Sequence, residues 1–317
     1  MTRLPDRRVL PYTYVVGQEQ LKTALELSYI APRIGGVLAS GDRGTAKSMT
    51  VRAFAMMLTG RLPVTLPINA TDDRVLGGWR LDELVHGHAV EQRGLLEEAS
   101  ERGVLYVDEV NLLDDHVVNI ILDVSSTGIL TVQREGVDRQ VEAEFTLVGT
   151  MNPDEGGLRP QLLDRFGLSV DIQAESDPTR RREILLTVLQ FDEARARPVS
   201  DFLDRGRAAD AKLKLRLGMA RDRLYDVDVD NNMAGLCAEL AASFRVSGHR
   251  GDLVTALAAR ALAALHGADA VTGQHVLAVA PLALQHRRHA GGQRGPVSWT
   301  PDDQQQLNQL IVEASKR

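Results

Sequence analysis

Three short stretches of this chain end in side chains suited to handling a phosphate anion and a water molecule. The first, Gly41-Asp42-Arg43-Gly44-Thr45-Ala46-Lys47-Ser48, follows the apolar run from Gly35 to Ser40 and leads into Met49 to Leu58. That order reads as strand, loop, helix. A phosphate loop needs backbone N–H groups converging on an anion at a helix N-terminus, a lysine to reach the β and γ phosphates, and a hydroxyl for Mg2+. Gly41, Gly44, Lys47 and Ser48 fit those roles, and Arg43, Thr45, Ala46 and Met49 belong to the same nucleotide-contacting stretch. The departure is Ala46, where the usual pattern G-x-x-x-x-G-K-[ST] has a second glycine. Alanine tolerates the φ/ψ that open a helix, so the loop is expected to close. The competing reading is a glycine-rich turn before a core helix.

The second stretch, Val104-Leu105-Tyr106-Val107-Asp108-Glu109, is apolar, β-prone and ends in two acids, as a buried strand does when it delivers carboxylates to the C-terminal edge of a sheet. Asp108 would join Ser48 at Mg2+, and Glu109 would polarise the attacking water. The third, Phe145 to Met151, ends at Asn152-Pro153, where a side-chain amide could orient that water. Any one of these ends could be structural. Together, in this order, they point to hydrolysis of a nucleoside triphosphate.

With these motifs stand VVGQE at Val15 to Glu19, YVDEVNLLDDH at Tyr106 to His116, LRPQLLDRFGLSV at Leu158 to Val170 and FRVSGHRGDL at Phe244 to Leu253. The sequence resembles the AAA+ family, and more closely the ATPase (I) subunit of magnesium chelatase, over nearly its whole length; LRPQLLDRFG is the most specific part. The resemblance implies ATP and Mg2+ as the bound species. It makes Lys47 and Ser48 the Walker A residues, Asp108 and Glu109 the Walker B pair and Asn152 sensor 1, and it adds Val16 and Gly17 to the nucleotide contacts. Arg165 would be the arginine finger, reaching the γ-phosphate of a neighbouring subunit, with Arg159 as the competitor. Arg250 would be sensor 2, with Arg245 less favoured. Each of these arginines could instead be an ordinary surface residue.

The elements that must position these groups follow from texture. Up to about residue 190, strand and helix signals alternate as in a parallel sheet with crossover helices. The fold class expected is α/β: an AAA+ phosphate-loop sheet with flanking helices over 1–190, then a linker and a long helix before sensor 2 over 191–230, then a smaller all-α lid over 231–317. Asp192 to Arg207 is charged and contains Pro198 and Gly206, which reads as the linker. Helices are expected over Leu213 to Leu224, Asn231 to Phe244, Asp252 to Leu265 and Thr272 to His286. The resemblance implies that Ala208 to Leu224 would be the family's inserted helix. Asp72 to His88 would be a loop-helix insert, and Ile129 to Val141, turning at Glu135-Gly136, a β-hairpin; each could be a plain surface loop.

A net charge of −6 argues against a nucleic-acid motor, whose channel needs a basic footprint. The basic stretch His286-Arg287-Arg288-His289, followed by Gly291-Gly292, reads as a solvated helix end rather than a phosphate patch. With Cys237 as the only cysteine, no disulfide can form within the chain, which suits the cytoplasm. Arg3, Asp6, Arg7 and Arg8 leave no apolar signal-peptide core, and no run reaches membrane-spanning length. His86-Gly87-His88 reads as a loop pair, and Asp123 to Thr127 as a helix C-terminus closed by Gly128.

The resemblance implies a ring-forming, hexameric ATPase that drives metal insertion into a tetrapyrrole by remodelling partners: an integrin-like von Willebrand A subunit and a large tetrapyrrole-binding subunit. A MoxR-type chaperone acting on a von Willebrand A partner shares every catalytic residue and stays open. A nucleotide-gated scaffold that scarcely hydrolyses ATP is the third possibility, left open only by Ala46.

Overall fold

The computed structural model describes residues 9–80, 83, 85–88, 90–134, 137–197, 199–246, 248–288 and 298–314. Five parallel strands form its main sheet in the order β2-β5-β8-β1-β9: β1 is Val37–Gly41, β2 Val64–Leu66, β5 Val104–Val107, β8 Thr146–Met151 and β9 Leu168–Ile172. Strands β1, β5 and β8 are buried along their whole length, so their sequences show apolar runs instead of alternation. Alternate residues still feed two different cores. Val37, Ala39, Val104 and Tyr106 face one, with Leu21 and Leu25 of α1 (Glu19–Ile30) and Phe54 of α2 (Lys47–Thr59). Leu38, Leu105 and Val107 face the other, with residues of α4 (Leu95–Arg102) and α5 (Asp115–Thr127).

Between α2 and α4 lie β2, the short α3 (Asp72–Leu76) and an antiparallel pair, β3 (Gly77–Trp79) with β4 (Glu91–Arg93). Residues 81, 82 and 84 of the expected insert lie outside the described residues. The expected hairpin is present as β6 (Ile129–Arg134) against β7 (Val137–Glu142), its turn residues Glu135 and Gly136 outside the described residues. Helix α5 ends where expected, with Gly128 in the left-handed region at φ 72°.

Among the described residues the long elements of the lid are helices: α9 (Asn231–Ser243), α10 (Arg250–Leu265), α11 (Gly273–Leu284) and α12 (Pro301–Ala314). Its alanine-rich interior, Ala258, Ala259, Ala261, Ala263, Ala280 and Ala283, belongs to the same continuous core as α1 and α2. Among the described residues no helix is long and apolar enough to cross a membrane.

Two expectations fail. The stretch 192–207 is not a linker: α7 runs Pro178–Ala196 and α8 Asp201–Asp222, with one short break between them, Pro198 lying outside the described residues. Asp177 and Ser200 cap the two helices by accepting from Thr179 N and Leu203 N. The charge density is a solvated helix face laced by pairs such as Arg205–Asp201 at 3.0 Å and Arg195–Asp192 at 3.1 Å. Gly206 is no breaker, because a Cβ there would sit 2.6 Å from the Pro11 ring, so the glycine admits the N-terminal segment against α8. Asp210, one turn on, accepts from the backbone N–H groups of Tyr12 and Thr13 and from the Thr13 hydroxyl.

Nor is His286-Arg287 a solvated helix end. Gln285, His286 and Arg287 form a buried 3-10 turn after α11 that docks on the chain between α6 (Pro160–Arg165) and β9. His289, Gly291 and Gly292, like Ser247 and the N-terminal Arg3, Asp6, Arg7 and Arg8, lie outside the described residues. His286 Nε2 donates to the Phe166 carbonyl at 3.0 Å, while its buried Nδ1 has no partner among the described residues.

Burial first, then the charges of Arg287 and Arg250, hold the His286 pKa well below its ordinary 6.5. Below pH 6.5 the unfolded chain therefore takes up a proton that the folded chain refuses, so stability present above that pH is lost as pH falls. We expect this one group to contribute a slope approaching about 1.4 kcal/mol per pH unit in acid. Urea midpoints between neutral and acid pH would show it, and His286→Gln should flatten the curve; an identical curve in the variant would refute the assignment.

Candidate active site

The carboxyl ends of β1, β5 and β8 lie side by side, with Ser40 opposite Met151 and Val107 opposite Gly149. The register gathers residues some 60 and 100 positions apart in the chain into one cleft of ≈ 390 Å³, lined by Arg43 to Met49, Asp108, Glu109, Thr150, Met151 and Asn152. Gly41 turns the chain at φ 146°, where a Cβ would lie 2.0 Å from the Ile172 carbonyl oxygen of β9. Thr45 Oγ1 donates to Asp42 O at 2.8 Å, and Gln18 Nε2 to Thr45 O at 2.9 Å, bracing the loop from both sides. Lys47 Nζ donates to the carbonyls of Gly41 and Asp42, each at 2.6 Å. Burial lowers its pKa, opposed by Asp42 and Asp108.

Ala46 does not adopt the helix-opening conformation expected of it. It sits at φ 62°, ψ 15°, in the left-handed region, immediately before α2. This is the conformation for which the usual glycine serves, and alanine holds it at a cost of about 1–2 kcal/mol. The loop closes all the same, because the strand before it and the helix after it fix both ends.

Behind the loop lies a relay of hydroxyls that motif reading missed. Tyr106 O–H donates to Asp108 Oδ1 at 2.8 Å, and Thr150 Oγ1 donates to the same oxygen at 2.7 Å. With the phenol's one proton committed, Ser48 is the donor in its 2.7 Å bond with Tyr106. Burial is the main reason the Tyr106 pKa is pushed up to about 12, with Asp108 acting in the same direction. The phenol therefore stays neutral and ties Ser48 to Asp108. A serine hydroxyl and a carboxylate held together by neutral donors form a hard-oxygen set that fits Mg2+.

Glu109 follows with φ 54°, ψ 56°, a strained geometry for glutamate. Its N–H donates to Thr150 Oγ1 at 3.2 Å, and its carboxylate lies 3.6 Å from Arg43, which also pairs with Glu155. Asn152 Oδ1 accepts from Asp154 N at 3.2 Å and so opens the turn after β8.

A second cleft of ≈ 390 Å³ adjoins the other side of the loop. Leu10, Tyr14, Val16, Ile184, Leu185 and Val188 give it apolar walls, and Gly17 borders the neighbouring hollow. This is the size and largely apolar lining of a small-molecule site. Val16 was legible from its motif; Tyr14, Ile184 and Val188 carried no signal beyond helical or apolar character.

Arg165 and Arg250 lie elsewhere. Arg165 ends α6, three residues before β9 begins, and Arg250, the first residue of α10, donates from Nη2 to its carbonyl at 2.7 Å. That contact lies beside Gly35, before β1, so both arginines sit at the opposite edge of the sheet from the loop, about 20 Å away at ~3.3 Å per strand residue. Their contact is thus remote from the phosphate loop of the same chain. Arg165 and Arg159 are both exposed, Arg159 in an ion pair with Asp115 at 2.6 Å, and Arg245 is a left-handed residue following α9. His86 and His88 stand in a turn, and no metal-binding cluster of His, Cys, Asp or Glu occurs among the described residues.

Residues 36–166 match the family described as AAA domain (dynein-related subfamily), and 235–310 match the AAA lid domain. An uncharacterized protein of Mycobacterium tuberculosis is 43% identical over 96% of this chain, which spans about half (48%) of that relative's length. The magnesium-chelatase subunit ChlI of Cyanophora paradoxa is 39% identical over 89% of this chain and 91% of its own. The magnesium-chelatase 38 kDa subunit of Cereibacter sphaeroides is also 39% identical, over 89% and 92%. Among solved structures, a chain of a complex between subunits BchI and BchD of magnesium chelatase is 37% identical over 90% of this chain and 97% of that one, with a TM-score of 0.50. A Cytophaga hutchinsonii crystal structure at 16% identity and TM-score 0.64, covering 99% of this chain and 92% of that one, shows the fold alone.

Because the Ala46 strain is local, Ala46→Gly should raise stability by about 1 kcal/mol, the relief of the left-handed conformation exceeding glycine's added unfolded-state freedom. The readout is the urea unfolding midpoint; a lower midpoint would show that the methyl group is needed in the loop.

Proposed function

The chain belongs to the AAA+ ATPases, in the group of the magnesium-chelatase ATPase (I) subunits, and from that premise we propose that it works as one subunit of a hexameric ring whose ATP sites are completed by neighbours. The observation that carries this is the split of charged groups between the two edges of one sheet. Lys47, Ser48, Asp108, Glu109 and Asn152 share the carboxyl edge, and Arg165 and Arg250 share the amino edge. Placed head to tail, subunits would bring one edge against the other.

In this reading the purine enters the apolar cleft beside Val16 and Tyr14, and the phosphates lie along the loop N–H groups from Gly44 to Met49. Lys47 exchanges the carbonyls of Gly41 and Asp42 for phosphate oxygens. Ser48 and Asp108 would hold Mg2+, which would supply charge neutralisation for the phosphates. Glu109 takes the proton of the attacking water, and Asn152 orients that water. For Glu109 to do so its pairing with Arg43 must open. Arg165, with Arg250 beside it, neutralises the charge that develops on the neighbour's γ-phosphate, so hydrolysis depends on assembly.

The ring would act on an integrin-like von Willebrand A subunit and a large tetrapyrrole-binding subunit, driving metal insertion from the cytoplasm, with no role for nucleic acid or a membrane. The similarity to ChlI and 38 kDa subunits over nine-tenths of their length supports this client over a MoxR-type one.

The test is ATPase rate per subunit against protein concentration, with mass by light scattering in ATP. The native chain should gain activity as it assembles. Glu109→Gln should bind nucleotide and lose turnover by about 100-fold or more, since an amide cannot take the proton. Arg165→Ala should bind nucleotide, assemble and show no rise in rate, at a loss of about 1,000-fold. A concentration-independent rate in the native chain, or full activity in Arg165→Ala, would overturn the shared-site reading; near-zero turnover in the assembled native chain would leave a nucleotide-gated scaffold. Added partner subunits that change the rate would identify the client.

A further inference from the structure

The basic turn after α11 remains without a role in this scheme, although it contains the most deeply buried guanidinium described above. The Arg287 side chain is 0% exposed. Its Nε donates to Asp164 Oδ1 at 3.1 Å, Nη1 to Gly167 O at 2.8 Å and to Ala283 O, and Nη2 to Asp164 O at 2.9 Å and to Phe166 O. His286 adds a second bond to Phe166 O, Gln285 one to Ser169 O, and Arg250 the bond to Arg165 O. Each carbonyl from Asp164 to Gly167 thus accepts a hydrogen bond from a lid side chain, while the Arg165 guanidinium itself is exposed.

Desolvating a guanidinium is costly, and an aliphatic side chain would fill the same volume at less expense if the turn only had to pack the lid onto the sheet. What an aliphatic group cannot do is fix several main-chain oxygens at once, which the planar, five-donor fork of arginine does. Burial lowers the Arg287 pKa to about 10, with Asp164 acting against the shift, so the group stays charged. The fixed turn is also joined to the catalytic edge. The Phe166 ring lies where a Cβ on Gly149 of β8 would be 3.1 Å away, and Val110, which follows Glu109, borders the same spot.

We propose that Arg287 is a positioning residue for Arg165: by clamping Asp164, Phe166 and Gly167 it sets the direction in which the Arg165 guanidinium leaves its subunit, so lid placement in one subunit governs hydrolysis in the next. The proposal rests on the reading of Arg165 as a residue that acts on a neighbour's nucleotide. It assigns the lid a second task, distinct from packing beside its own subunit's core.

Complementation in mixed rings separates this from a purely structural role. Arg287→Lys keeps the charge and loses the fork. Alone, it should bind a fluorescent ATP analogue and assemble like the native chain, with KM unchanged and kcat lowered between about tenfold and about 100-fold, as expected when a reacting group is displaced by about 1 Å. Mixed with Glu109→Gln subunits before ATP is added, it should recover activity, because its own intact site then faces a correctly held Arg165. Arg165→Ala mixed with Glu109→Gln is the control. If that pair shows no recovery, the trans reading of Arg165 falls; if it recovers and the Arg287→Lys pair does not, the positioning role is overturned. A native kcat in Arg287→Lys alone would also overturn it. Should Arg287→Lys fail to fold, Asp164→Asn, whose side chain is 44% exposed, removes the carboxylate end of the same clamp and takes the same test.

Discussion

The register of the parallel sheet is the constraint on which everything else rests. Because β5, β8 and β1 are neighbours and parallel, the residues that follow each strand emerge at one edge regardless of their separation in the chain. Two cores, one on each face, hold the strands in that register, and a slip by one residue would exchange Leu38 with Ala39 and Leu105 with Tyr106 between the two. The hydroxyl of Tyr106 would then leave the relay between Ser48 and Asp108.

Among the described residues four non-glycine residues adopt a positive φ, and two of them line the cleft. Ala46 and Glu109 are those two, one immediately before the helix that follows the phosphate loop and the other immediately after Asp108, the proposed metal ligand. Lys47 and Tyr106 are titratable groups with pKa values shifted by burial. Such departures from local preference persist because the surrounding sheet and helices over-determine them. The Tyr106 relay holds Asp108 and Ser48 within reach of one another through neutral donors.

The opposite edge is organised by the lid. Its helices share a continuous core with α1 and α2, so its position is set by burial and not by a flexible tether. From that position Arg250 and the turn at Gln285 to Arg287 grip the main chain on either side of Arg165. The subunit has the proposed nucleotide cleft at one edge and the exposed Arg165 at the other, which is the asymmetry that the proposed head-to-tail ring would use.

By itself the sequence identified the family's motifs and the order of the parts. Lys47, Ser48, Asp108, Glu109 and Asn152 were picked out by motif as the candidates that the fold then brings to one cleft, and the hairpin, the Gly128 helix end and the helical lid followed from spacing, turn residues and texture, all of which are local properties of the chain. Tertiary structure decided what depends on distant partners. Composition made 192–207 a linker because it cannot distinguish a charged loop from the wet face of a helix whose other side is buried, as Leu203 and Gly206 are. Charge made His286-Arg287 a solvated end because nothing near them in the chain reveals acceptors more than a hundred residues away. Tyr106 read as an ordinary strand residue until packing placed its hydroxyl between Ser48 and Asp108. Ala46 showed the limit from the other side: the motif located it, and only the closed loop imposed its left-handed backbone.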